Sequence, residues 1–172
     1  MQKISWAAVL CVLAVLLASC GGGGGAAGSG TASCSSPTLW AVNSNSSGLA
    51  IPDNNTDGIA VTWDSQTCSL QSLTSVTVDI CLHHTDPTDL VWTLTPPNAS
   101  SALPLTAPSN WNATGTPCGD AGPTQGKLQS ITLPASNAMN TARGIWTLHV
   151  HDTVSGDTGS LVQWRVTLQG SP

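Results

Sequence analysis

At 172 residues the chain has room for one domain and a leader. Apolar residues make up 40% and charged residues 8%, at a formal net charge of −5, which excludes a highly charged disordered chain. Past the leader the only basic residues are Lys127, Arg143 and Arg165. No basic patch can neutralise phosphates, so nucleic acid is not an expected partner.

Residues 1–19 read as a secretion signal. Lys3 supplies a short positive region, and the apolar core Ile4–Leu17 is short of the ~20 residues a membrane-spanning helix needs. The ending Leu17-Ala18-Ser19-Cys20 resembles the bacterial lipobox, which implies cleavage before Cys20, lipidation of its sulfur and attachment to a membrane through buried methylenes. Ordinary cleavage that leaves Cys20 as a free thiol is the plainer reading. Gly21 stands where an Asp would signal retention in the inner membrane, so the expected location is the cell envelope, at the outer membrane or cell surface. Residues 20–49 open with a Gly-, Ala- and Ser-rich run that reads as a flexible tether.

Removing the leader leaves Cys34, Cys68, Cys81 and Cys118. An even number in an exported protein reads as two disulfides with three open pairings. Cys81 lies on the strand face opposite Val76, Val78, Ile80 and Leu82, which suggests a surface position from which it staples a neighbouring loop. The preferred pairing is Cys68–Cys81 with Cys34–Cys118. The spacing lacks the close Cys and His pairs of a zinc finger.

From about Ile51 the chain reads as short strands. Gly58–Trp63, Val76–Leu82, Asp89–Leu94 and Gln129–Leu133 have the alternation or the apolar density of strands, and Pro96-Pro97 stops the third. Residues 98–128 are mostly Ser, Pro, Asn, Gly and Thr and read as long loops. Gly144–Leu168 closes the set as two strands joined by an Asp- and Gly-rich turn, a hairpin in which Trp146, Leu148, Val150, Leu161 and Trp164 face the core. With no Phe and no Tyr, Trp40, Trp63, Trp92, Trp111, Trp146 and Trp164 must supply most of the bulky packing. Strands every ten or so residues without a helical period argue for a β-sandwich or jelly roll.

Gly144, Trp146, Leu148, Val150, Asp152, Gly156, Asp157, Gly159, Leu161, Trp164 and Leu168 resemble the closing pattern of the P domain (P/Homo B domain). This module follows the catalytic domain in subtilisin-like proprotein convertases and many bacterial secreted proteases. Ile51-Pro52-Asp53-Asn54 looks like the family's opening. Val76–Ile80 with Asp89–Pro97 looks like its central strand pair. Thr88 and Ala99 replace family glycines, and the four cysteines are not a general family feature. The resemblance implies an all-β jelly-roll sandwich of about eight strands over residues 50–170.

Asp53 and Asp57 form one carboxylate-rich turn, and Asp152 and Asp157 flank another. Some P domains bind calcium, so the resemblance implies calcium at one of these places. The alternative is turn chemistry, with Asp side chains accepting from nearby N–H groups. His149 and His151 share a strand face, and with His83 or His84 three imidazoles could meet at a transition metal; a polar strand face is the plainer reading. Trp111, in the polar loop region, is the candidate for an exposed binding aromatic. No Gly-x-Ser-x-Gly and no subtilase-like catalytic segment is present, and no catalytic residues are assigned. The expectation is a non-enzymatic lipoprotein that binds an envelope protein or an extracellular polymer. The alternative is an accessory domain for a separate subtilisin-like serine protease. Exposed Trp would favour the first, and a flat apolar sheet face the second.

Overall fold

Val76, Val78, Ile80 and Leu82 alternate with Thr77, Asp79, Cys81 and His83, and this period of two builds one of the two longest strands of the domain. The structure, a computed structural model, describes residues 30–37, 39–40, 48–119, 121–123 and 125–172. The signal segment 1–19 and Cys20 lie outside the described residues.

The described strands are β1 (Ala32–Ser35), β2 (Leu39–Trp40), β3 (Leu49–Ile51), β4 (Asn55–Asp64), β5 (Ser72–His84), β6 (Leu90–Thr95), β7 (Leu103–Leu105), β8 (Thr116–Cys118), β9 (Gly126–Pro134), β10 (Ile145–Asp152) and β11 (Gly159–Ser171). Two sheets pack face to face as a jelly-roll sandwich. The larger runs β1-β11-β5-β9-β8, with β2 and β3 lying along the same edge of β11 as β1. The smaller runs β4-β10-β6-β7. All described pairings are antiparallel. Because β1, β2 and β3 share one edge, eleven strands fill fewer positions than their number suggests. Residues 32–35 and 39–40, which the composition placed in the tether, form strands on that edge.

The closing run departs from the hairpin expected of it. β10 belongs to the smaller sheet and β11 to the larger, so residues 153–158 arch between the layers. Turn-forming residues are as useful in such an arch as in a hairpin, and composition does not separate the two. The central pair, β5 and β6, is likewise divided between the sheets. The spacing of three from Leu161 to Trp164 has a local cause. A register shift between Leu161 and Gln163 inserts one residue, so both flanking side chains reach the core.

Val76, Val78, Ile80, Leu82, Leu148, Val150, Val166 and Leu168 are fully buried between the layers. Trp92, Trp111, Trp146 and Trp164 are each at most 2% exposed. A buried Trp removes about 150–250 Å² from water, which at ~25 cal/mol/Å² contributes about 4–6 kcal/mol before entropy is counted. These four indoles therefore do what Phe and Tyr do in other cores. Trp63 packs against the same core from β4; the Trp40 side chain lies outside the description.

The loop region 98–128 contains β7, β8 and a helical turn, α1 (Trp111–Thr114). Trp111 is not an exposed binding aromatic: it is 1% exposed, stacks on Trp92 with centroids 5.1 Å apart, and donates from Nε1 to the Lys127 carbonyl at 3.0 Å. The polar residues around it hid a core residue on α1.

The disulfides are Cys34–Cys68 and Cys81–Cys118, which overturns the preferred pairing. Cys81 does point away from the core-facing residues of β5 and does staple a neighbouring segment, β8. It is nonetheless fully buried, because β8 closes over it through Cys118.

Candidate functional site

Two regions concentrate the polar chemistry: the end of the sandwich where β5 and β10 finish, and the outer face of the smaller sheet.

At the end of the sandwich, His84 closes β5 and Asp152 closes β10, one from each sheet. His84 Nε2 stands 3.2 Å from Asp152 Oδ2, with both side chains fully buried. His84 Nδ1 donates to the Asp86 carbonyl at 2.8 Å, and Asp152 Oδ1 accepts from the Val154 amide at 2.9 Å. Asn112 of α1 donates to the His84 carbonyl at 3.3 Å. Both side chains are buried and held by these partners, so the pair ties the end of one sheet to the end of the other.

The four carboxylates singled out from the sequence are used in two ways. Asp53 accepts the Gly156 amide on both oxygens at 3.1 Å, and Asp157 accepts from the Thr85 hydroxyl at 2.6 Å. Both therefore pin the arch 153–158 to neighbouring segments. Asp152 turns inward to His84, while Asp57 stays exposed at the start of β4. Among the described residues no three His, Cys or Asp side chains gather as a metal site. The engaged carboxylates fit turn chemistry better than a cation cage. Asp86 and Asp89 complete this end. Hydrogen bonds from the Thr88 hydroxyl and amide hold the Asp86 carboxyl below its ordinary value. Partial burial, then the negative charges of Asp86, Asp157 and Asp152, push Asp89 upward.

The three-imidazole convergence does not form. His84 is committed to Asp152, and His83 belongs to β5 of the larger sheet. His149 and His151 do meet, on the outward side of β10 with ring centroids 5.3 Å apart. Gly58 lets β4 come close to the β10 backbone at Val150 and His151. It has φ +51°, and a Cβ there would strike the Val150 carbonyl and His151. Around the two rings, the pairing of β4, β10 and β6 lays out Ala60, Thr62, Ile145, Thr147, Val91, Thr93 and Thr95. Ile145 is 49% exposed and Val91 40%. Between Asp57 and Asp64, at the two ends of β4, this face carries no Asp, Lys or Arg. The larger sheet differs. On its outer side Arg165 donates twice to Asp79, at 2.9 and 2.6 Å, Ser130 donates to the same carboxylate, and Thr77 pairs with Thr132. One face pairs Asp79, Arg165, Ser130, Thr77 and Thr132 among themselves; the other carries charge on β4 only at Asp57 and Asp64. Sequence alternation marked the residues of both faces but could not show which strands stand side by side.

The family model of the proprotein convertase P-domain matches residues 73–168. The chain belongs to the proprotein convertase P-domain family. Its match runs from β5 to β11 and leaves β4 and Asp53 outside it. In structure the chain is similar to the serine protease of Aeromonas sobria in complex with the chaperone, at TM-score 0.57 and 19% identity, over 82% of this chain and 27% of that one. The serine protease of Aeromonas sobria alone gives 0.53 and 17%, over 81% and 27%. This P-domain chain thus spans about a quarter of the length of those structures, and the likeness is one of fold. No curated protein matches it in sequence.

Proposed function

We propose that this chain is a non-catalytic P domain that docks on a subtilisin-like serine protease through the outer face of β4, β10 and β6, held at the cell envelope by a lipid on Cys20. The observation that carries the reading is the contrast between the two sheet faces. Val91 and Ile145 stand exposed on the smaller sheet among threonines and imidazoles, with charge on β4 confined to Asp57 and to Asp64 opposite Ile145. The larger sheet satisfies its polar groups internally. Family membership supports a protease as the partner, and the structural neighbours are serine protease structures that share this fold. A polymer-binding module would want an exposed aromatic, and Trp111, the residue suited to that role, is in the core.

Two readouts test the proposal. The purified chain should show no peptidase activity sensitive to serine-directed inhibitors, and Val91→Asp should weaken binding to a subtilisin-like catalytic domain. Cys20→Ala should release the chain from the membrane fraction and remove the lipid mass. Inhibitor-sensitive cleavage by the wild-type chain, or a soluble unlipidated wild type, contradicts the corresponding part.

A further inference from the structure

We propose that His149 and His151 form a chelating site for a divalent transition metal of the kind imidazole prefers, with Zn²⁺ as the reference ion. Three observations on the smaller sheet carry it. First, the two residues are two apart on β10 and share its outward face, and their ring centroids are 5.3 Å apart. Two imidazoles on one tetrahedral ion, with metal–nitrogen bonds of about 2.0–2.1 Å, place their centroids roughly 5 Å apart. Second, His149 Nε2 donates to the Asp57 carbonyl at 2.9 Å. That bond fixes the proton on Nε2 and leaves Nδ1 with its lone pair free. A ligating histidine is commonly held this way, its second nitrogen donating to a backbone carbonyl. Third, His151 Nδ1 is buried and has no hydrogen-bond partner. An unpaired buried polar atom is costly, and a metal ion would satisfy it.

Neither ring is used elsewhere in the fold as His84 is. Among the described residues no third His, Cys or Asp side chain joins the pair, so the site is a two-histidine chelate. The neutral setting between Asp57 and Asp64 offers no oxygen cage, which favours an imidazole-seeking ion over calcium. The inference concerns β10 and β4 alone and does not depend on what the face docks against.

The test is calorimetric titration of the full chain, in detergent, with Zn²⁺. One ion per chain is expected. His149→Ala and His151→Ala should each weaken binding by roughly tenfold or more, while His83→Ala, on the other sheet, leaves it unchanged. Near-ultraviolet circular dichroism of each variant checks the fold. Nitrogen NMR of the metal-free chain should show His149 protonated at Nε2, and added Zn²⁺ should shift its Nδ1 resonance. Absence of binding, or binding that survives both substitutions, overturns the site.

Discussion

His84 Nε2 and Asp152 Oδ2 stand 3.2 Å apart with no solvent on either side chain, and they join the end of β5 in one sheet to the end of β10 in the other. The imidazole faces two acceptors, the Asp86 carbonyl and the Asp152 carboxyl. Removing either partner leaves the other buried and unpaired. Asp152→Ala and His84→Ala are each expected to cost about 3–5 kcal/mol of stability, read by denaturant unfolding. A loss within ordinary surface effects would show that the pair does not hold the sheets together.

The disulfides close segments of 34 and 37 residues in sequence separation. A loop of that size is stabilised by roughly 3–4 kcal/mol on the chain-entropy account. Non-reducing peptide mapping should recover Cys34 linked to Cys68 and Cys81 linked to Cys118. Cys81→Ala with Cys118→Ala should lower stability by about that amount and leave β8 held only by its pairing with β9. Recovery of a Cys68–Cys81 peptide would contradict the fold.

Trp111 stacks on Trp92 within the core. Trp111→Ala should therefore cost about 3–5 kcal/mol, as a large aromatic truncation does, and an aqueous quencher should not reach its fluorescence in the native chain. Ready quenching, with stability unchanged by the substitution, would put it at the surface.

Asp89 and Asp86 act on stability in opposite directions as pH changes. The Asp89 carboxyl is raised above 3.8 by partial burial and by Asp86, Asp157 and Asp152, so the folded state holds its proton more tightly than the unfolded state. Stability is lost as pH rises through that raised value. The Asp86 carboxyl is lowered by Thr88, and its contribution is present above 3.8 and lost as pH falls. Asp89→Asn should raise the unfolding midpoint at neutral pH, and the gain should vanish well below the ordinary carboxylate value. Thr153 bonds the Asp89 backbone carbonyl, so the substitution keeps that contact. An equal effect at all pH values would remove charge as its cause.

The strands that bury one full face were legible in the sequence, because alternation of apolar and polar residues follows directly from the pleat. β5 and β10 are the clear cases. The arch after Asp152 was not legible, since Gly and Asp serve hairpins and arches alike. The disulfide pairing was open, because four cysteines permit three pairings and spacing does not choose among them. Trp111 was hidden by its polar neighbours, which cap and flank a helical turn whose indole alone turns inward. The meeting of His149 with His151 followed from their spacing. The role of Asp57 in orienting His149 depends on the register of β4 against β10, which no local pattern encodes.

On the proposed function, the β4-β10-β6 face meets a protease and the opposite face does not. Photo-crosslinking residues placed at Val91 on the smaller sheet and at Thr132 on the larger, in the full-length chain in its native cells, test it directly. Mass spectrometry should identify a subtilisin-like serine protease crosslinked from position 91 and not from position 132. Crosslinking to that protease from position 132 alone, or from neither, would show that the β4-β10-β6 face is not the docking surface.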